Sequence, residues 1–380
     1  MITLKNQLVL QFSLGEFTDF IQVDDFHGME IIEHAGGLRP IINLRFLLVE
    51  KEIIPYINQG NIITLRYGIE HLSNDSMQFE IQGDVKTQQY KLGSEINIRA
   101  AFYNNNFTST TKSRNITGKS YEVLKQIVEG VNMKFNTNVQ RSNDKQTWYQ
   151  DGKTDWLFSK YIVDRAWRDD STFFAHAFDC NNFYFYDVKE LLSSTDNIKW
   201  TLTCNNVGNG ENDRIVNIGT YQVDDSLQGQ MSILAGKNVT TVGYNIDTGE
   251  FLQPKHKLKT FTTLGTNNIN MNSQDCSTYN YMICSGRDHD NTILALNQNK
   301  RNNILFSSYT VRTTIPGQYR DFRLLDPVKL IPAERDMDAE GFYLITGIVR
   351  QYSDGIYRTN LTLNRESANN IRGNLEQGEK

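Results

Sequence analysis

Six histidines (His27, His34, His71, His176, His256, His289) and four cysteines (Cys180, Cys204, Cys276, Cys284) are the side chains of this 380-residue sequence best suited to act as base, nucleophile or metal ligand. Their spacing gives them no such task. No HExxH and no CxxC occurs, and no His stands at zinc-finger distance from a Cys, so neither a metal site nor a disulfide framework nor an activated thiol is indicated. The densest cluster, Arg287-Asp288-His289-Asp290, has the groups to hold a cation or move a proton, but a solvated loop explains it without a partner motif. The carboxylate pairs Asp24-Asp25, Asp169-Asp170 and Asp224-Asp225 would serve glycoside hydrolysis only if two carboxyls converged across a bond. Neighbours on a strand or loop do not converge that way, and turns or helix ends account for them. Phosphate-cradling GxxxxGK[ST] and GxGxxG loops are missing, and Gly208-Asn-Gly210 and Gly36-Gly37 read as turns. Trp148, Trp156, Trp167 and the run Phe183-Tyr-Phe-Tyr186 would stack on sugars if their rings lay exposed on one face. Aromatics alternating to both faces instead imply a sheet covered on both sides, in a core or a subunit interface, and the interface is the expectation. No catalytic, metal or cofactor residue is assigned, and the chain reads as a non-enzyme without a cofactor.

The elements that must hold these residues are mainly strands. Ile2, Leu4, Leu8, Leu10, Phe12 and Leu14 share one parity against Thr3, Lys5, Gln7, Gln11 and Ser13, the pattern of a half-buried strand. Strands follow at 62–69, near 78–86 and at 95–103. The period then changes: Tyr121, Leu124, Ile127, Val128 and Val131 recur at helical spacing behind Ser120 as N-cap, with Glu122 in the first turn. A second helix starts at the N-cap Thr154 and carries Trp156, Phe158 and Ile162 as the core of an inserted α+β domain. Aromatic strands at 172–178 and 183–188 flank the turn Asp179-Cys-Asn-Asn182 and form a hairpin. Beyond Lys199 the β signal returns, with Asp247-Thr-Gly249 as a hairpin turn and a helix at 291–304 using Ile293, Leu296 and Ile304 as its inner stripe. Three strands, near 328–331, 343–352 and 357–364, close the chain before a polar tail.

Length and charge bound the possibilities. A chain of this size holds two to four domains by the prior of roughly 100–200 residues each. With 39% hydrophobic and 22% charged residues and six prolines it is globular. A net charge of −5 lacks the electrostatic footprint of a phosphate-gripping protein. The longest apolar stretch, 41–49, is broken by Asn43 and Arg45, and the amino terminus lacks a charged-then-apolar leader, so a soluble protein folded in a reducing compartment, away from membranes, is expected.

An internal repeat links the two ends. Phe79-Glu-Ile81-Gln-Gly83-Asp-Val85-Lys86 matches Tyr343-Leu-Ile345-Thr-Gly347-Ile-Val349-Arg350 as aromatic-x-Ile-x-Gly-x-Val-basic. The preceding Ile63-Thr-Leu65 matches Val328-Lys-Leu330, and the following Ile96-Asn-Ile98 matches Leu361-Thr-Leu363. The nearly constant offset indicates duplication. A glycine inside each long strand marks a bulge or bend of the kind that curls a sheet. The expected fold is mainly β (α+β): a tube-like antiparallel barrel at 1–107, an inserted α+β domain at 108–200, a second barrel with an inserted helix at 201–366, and a tail at 367–380.

On these features the chain resembles the central hub proteins of contractile phage baseplates, and is similar to the N-terminal part of type VI secretion spike proteins. The carriers are the helix-to-hairpin block from Thr154 to Tyr186, and the closing block Ile315-Pro-Gly317, Asp326-Pro-Val-Lys-Leu330, Gly341-Phe-Tyr-Leu-Ile345 and Thr359-Asn-Leu-Thr-Leu363. One departure stands at Arg320-Asp-Phe-Arg323 and Leu325: the family pattern has a Gly-Asp turn there, and Asp326-Pro327 takes its place. The resemblance implies a homotrimeric ring of six quasi-equivalent barrels that adapts a threefold spike to a sixfold tube and nucleates the tube. It also implies a lumen through which DNA passes without specific binding, the tail spike, tail tube and inner baseplate proteins as partners, and a place in the virion after assembly in the host cytoplasm. It supplies no catalytic residue. The alternative is a carbohydrate-binding or depolymerising β-rich tail component.

Overall fold

In the computed structural model the described residues are 2–3, 8–19, 21, 24–48, 51–69, 76–83, 85–90, 93–193, 195–204, 214–224, 238–252, 277–284, 288–307, 309–316, 321–333, 339–353 and 355–365. The chain is mainly β, and its dominant feature is one sheet of sixteen strands. Period-2 sequences build it: in Ile41–Leu48, Ile42, Leu44, Phe46 and Leu48 are buried while the residues between them are half-buried or exposed. No helix among the described residues is long and apolar enough to cross a membrane.

The repeat is present in the strand pairings, and it is larger than the sequence indicated. A first unit runs Ile41–Leu48, Ile62–Ile69, Met77–Ile81 continued by Lys86–Tyr90, and Gly93–Phe102. A second runs Tyr309–Pro316, Pro327–Ile331, Gly341–Ser353 and Ile356–Arg365. In both, the fourth strand lies between the first and the third, and the third lies against the second, all antiparallel. Register repeats too: Ile63 faces Phe79 and Leu65 faces Met77, as Val328 faces Tyr343 and Leu330 faces Gly341. The fourth strand corrects the sequence alignment by two residues. Ile81 faces Ala100 and Ile345 faces Leu363, so Ile98 corresponds to Leu361 rather than Leu363. A slip of two preserves which side chains face the core, so hydrophobic pattern alone does not detect it.

The two repeat glycines serve different ends. At Gly83 the backbone is left-handed, φ +68°, and nothing lies within 4 Å of where a Cβ would sit; the third strand breaks there and resumes at Lys86. Gly347 sits in a continuous strand just past a register shift, and a Cβ would meet His34 Nδ1 at 3.0 Å and Thr362 Cβ at 3.1 Å. One glycine supplies backbone freedom and the other supplies space.

The inserted region has an antiparallel pair of Thr111–Gly118 with Gln146–Thr154, and a three-stranded sheet ordered Lys134–Thr137, Asn182–Asp187, Phe174–Phe178. The helix Asp155–Arg165 begins as expected, with Thr154 Oγ1 accepting from Leu157 N at 3.3 Å. The helix Ser120–Glu129 starts one residue earlier than expected: Lys119 is its N-cap, and the buried Ser120 donates its N–H to Asp144 Oδ1 at 3.1 Å. Phe158 and Ile162 are fully buried, whereas Trp156 is half-buried, packing against the same core while its indole N–H reaches the loop at 36–39. The aromatic hairpin is covered on both faces, but by its own chain, which corrects the expected subunit interface. Phe174, Phe178, Phe183 and Phe185 join the core shared with the first unit, and Ala177 and Tyr184 join the core shared with the second.

The helix Thr292–Phe306 departs most from the apolar-stripe expectation. Ile293 is buried as expected and Leu296 packs against it, but Leu296 and Ile304 are only half-buried, while Asn297, Gln298, Asn299, Arg301 and Asn302 are buried. The helix docks through amides: Asn299 Nδ2 donates to Ala166 O at 2.9 Å and Val163 O at 3.2 Å, and Gln298 Nε2 to Asp169 O at 3.0 Å. Carbonyls in the last turn of a helix lack intrahelical donors, and Asn299 serves that end of Asp155–Arg165, adding a second donor to Val163 O beside the Ala166 N–H. The turn at Asp247-Thr-Gly249 joins Asn238–Asn245 to Glu250–Leu252 as expected. Cys276, His71, His256, Arg287, Asp225, Gly208 to Gly210 and the tail at 367–380 lie outside the described residues.

The glycine assignments make a direct test by urea unfolding. Gly83→Asn is expected to be nearly neutral, since Asn tolerates left-handed backbone, with Gly83→Ala costing about 1–2 kcal/mol. Gly347→Ala is expected to cost about 1–3 kcal/mol and Gly347→Asn more, because added volume meets packed neighbours.

Candidate functional site

Among the described residues, those proposed for chemistry are dispersed and structurally engaged. His289 Nε2 lies 3.0 Å from Arg165 O, and its backbone N–H donates to Gln146 Oε1 at 2.8 Å, so the Asp288-His289-Asp290 segment closes a helix end. His27 contacts Glu95 Oε1 at 3.3 Å. Burial drives His176 down to about 4 and also lowers His34. Asp169 holds a turn: burial alone would raise its carboxyl, but Ser171, Thr172 and Arg168 bond to it and bring it down to about 2. Asp24 is exposed, and Asp224 lies 3.8 Å from Arg312. Cys180 is a buried thiol pushed well up by desolvation, and Cys204 is half-buried. Trp148 is fully buried with Nε1 donating to Gly118 O at 2.9 Å, and Trp167 is 7% exposed. Neither ring offers a platform to a sugar. Among the described residues no three His, Cys, Asp or Glu side chains come together as a metal cluster.

What the fold does bring together is the seam between the two repeat units. The strand Phe26–His34 lies beside Ile41–Leu48 in the first unit, and its other edge takes the second unit's Gly341–Ser353 in an antiparallel ladder from His34 opposite Gly347 to Gly28 opposite Ser353. Four of the repeat positions, Phe79, Ile81, Tyr343 and Ile345, are buried within their own units, while Val85 and Val349 are half-buried. Gly347 faces both sides, opposite Thr362 of its own unit and His34 of the other. The absence of a Cβ is what lets three strands meet there.

A buried ion pair locks the ladder. Arg350 Nη1 donates to Glu33 Oε2, Arg350 Nη2 donates to Phe322 O at 2.7 Å, and both residues are 6% exposed. Burial pushes the Glu33 carboxyl up from its ordinary range, against the pull of Arg350. Rings reinforce one end of the seam: Phe26 stacks on Tyr352 with centroids 5.4 Å apart, and Phe26 also meets Phe12 at 5.8 Å. At the other end the Gly36-Gly37 turn reaches the inserted region. Gly36 N donates to His176 O at 2.9 Å, Trp156 Nε1 donates to Gly37 O at 2.6 Å, Arg39 sits over the Trp156 ring, and Ala35 N donates to Thr346 O at 2.8 Å. One short loop therefore ties both units and the insert together. Arg350 was visible only as the basic end of the repeat motif, and Glu33 was missed, because nothing local shows that a charge 317 residues away in the chain will neutralise it.

The departure at Leu325 has a structural counterpart. Leu325 is buried with φ +64°, its N–H donating to Ile345 O at 2.7 Å, and so takes the conformation that a glycine adopts without strain. Asp326 follows, and its Oδ2 accepts from Arg323 N at 3.2 Å and Trp200 Nε1 at 3.4 Å. Burial outweighs these bonds and raises its carboxyl to about 6.

The fold was then compared with known proteins. No family model matches the sequence, and no curated protein does. Among solved structures, the chain is similar to the prophage MuSo2 43 kDa tail protein from Shewanella oneidensis, with TM-score 0.57, 11% identity, and 94% of this chain and 98% of that one covered. It is similar to a tail protein from Neisseria meningitidis MC58, with TM-score 0.56, 10% identity, and 94% and 96% covered. A looser likeness, TM-score 0.49 at 11% identity with 95% and 77% covered, is to the E. coli c3393 protein, a component of the type VI secretion system. The first two span nearly the whole of both chains, so this protein has the fold of phage tail proteins, the fold that the baseplate-hub resemblance implied.

Two measurements probe the seam. Glu33→Ala strands the Arg350 charge and is expected to cost about 3–5 kcal/mol in urea unfolding, while Glu33→Leu combined with Arg350→Met recovers most of that loss. For Asp326, the folded carboxyl titrates at about 6, above an unfolded value near 4. Its contribution is present below pH ~4 and is lost as pH rises through about 6. Asp326→Asn is therefore expected to flatten the stability profile between pH 4 and 7 by roughly 1–3 kcal/mol.

Proposed function

We propose that this chain is a structural component of a phage tail baseplate, a hub whose copies form a homotrimeric ring. The observation that carries the reading is the repeated four-strand order, with its two copies joined edge to edge in one sheet. A chain that holds two quasi-equivalent units presents six of them when three copies close, which matches a threefold spike to a sixfold tube. The tail-protein folds that the chain resembles support the same setting. In this reading the unit at 1–107, the insert at 108–200 and the unit at 201–366 are the domains. The insert stiffens the junction between the tube-like units, since its hairpin packs into both cores. The ring nucleates the tail tube, seats the spike, touches inner baseplate proteins and leaves a lumen for DNA. A net charge of −5 keeps DNA from adhering to the wall.

The carbohydrate-binding alternative loses its support in the burial of Trp148 and Trp167. Light scattering on the purified protein, joined to negative-stain microscopy, tests the hub reading. The expected particle has about three times the 43.8 kDa chain mass and a central hole. A single-chain mass at every concentration, or specific retention on a glycan column, overturns it.

A further inference from the structure

The seam inside the chain is directional. It joins the strand that precedes the repeat in the first unit, Phe26–His34, to the bent half of the third strand in the second unit, Gly347 to Ser353. The complementary pieces exist on the opposite sides. The second unit has its own preceding strand, Tyr221–Asp224, paired antiparallel with Tyr309–Pro316 just as Phe26–His34 is paired with Ile41–Leu48. The first unit has its own bent half, Lys86–Tyr90, paired antiparallel with Gly93–Phe102 just as Gly347 to Ser353 is with Ile356–Arg365. Within the chain Ile31 stands opposite Arg350. Through the pairings of each unit, Val223 takes the place of Ile31 and Thr87 the place of Arg350.

We propose that the strand Tyr221–Asp224 of one copy adds antiparallel to the strand Lys86–Tyr90 of the next, with Val223 opposite Thr87, so that the seam inside the chain and the seam between chains are quasi-equivalent. The proposal rests on the ring reading above and names the surface that closes the ring. Three features favour a second copy as the occupant. The contact is heterologous, since two different strands meet, and such contacts repeat head to tail until a ring closes. The sheet gives Lys86–Tyr90 a ladder on one side only among the described residues, and an edge strand is a template for strand addition. Its residues Lys-Thr-Gln-Gln-Tyr are polar, which keeps a lone copy soluble until its partner arrives. The seam between chains also differs in one respect. The place of Arg350 is taken by Thr87, so it lacks the buried ion pair and depends on ladder hydrogen bonds, as suits a joint that forms after folding rather than during it.

The test uses two full-length single variants with different tags, Thr87→Cys and Val223→Cys, co-expressed and mildly oxidised. Both positions lie on edge strands, Thr87 exposed and Val223 half-buried against the second unit's core, and circular dichroism of each variant checks folding. Native mass is read on the same samples. The expected result is a trimer in which a disulfide-linked dimer carrying both tags forms only when both variants are present, while each variant alone and the wild type stay at the background set by the native cysteines. A trimer without that mixed-tag dimer overturns the strand assignment and leaves the hub reading standing. A protein that is monomeric throughout overturns both.

Discussion

The antiparallel ladder between Phe26–His34 and the bent half of Gly341–Ser353 is the constraint on which the rest of this molecule depends. It turns two small sheets into one, and it places the charge of Arg350 against Glu33. A buried ion pair adds little net stability compared with apolar packing, but a register that separated the two charges would be heavily penalised. The pair therefore specifies how the units meet more than how tightly. Gly347 works in the same direction, since the close approach of His34 and Thr362 tolerates no side chain at that point of the strand.

The inserted region follows from the same need. Two units joined along one ladder would hinge about it, because a single seam resists shear better than bending. The aromatic hairpin removes that freedom by feeding Phe178, Phe183 and Phe185 to one core and Ala177 and Tyr184 to the other. The Gly36-Gly37 turn anchors the hairpin strand at His176 and the adjacent helix at Trp156. Polar capping fixes the helix Asp155–Arg165 in turn, with Asn299 and His289 meeting the carbonyls at its end.

The two units also differ in detail while sharing one strand order. The bend in the third strand is made by a left-handed glycine at Gly83 and by a register shift beside Gly347. Phe79 pairs with Phe102 in one unit, while in the other Tyr343 has the guanidinium of Arg365 4.6 Å from its ring centre. Each solution keeps one face apolar and the strand order intact.

The sequence by itself determined the β-rich class, the repeat in its two most regular strands and the helix capped by Thr154, because all of these are written in local periodicity and spacing. It could not reveal the opening strand of the second unit, Tyr309–Pro316, whose inward-facing Thr313 hides the alternation. Nor could it reveal the two-residue slip in the fourth strand, since both registers bury the same face. The buried amides of the helix Thr292–Phe306 and the Glu33–Arg350 pair were likewise decided by the tertiary structure alone. Polar residues read as solvent-facing until the fold supplies partners for them, and those partners stand 133 and 317 residues away in the chain.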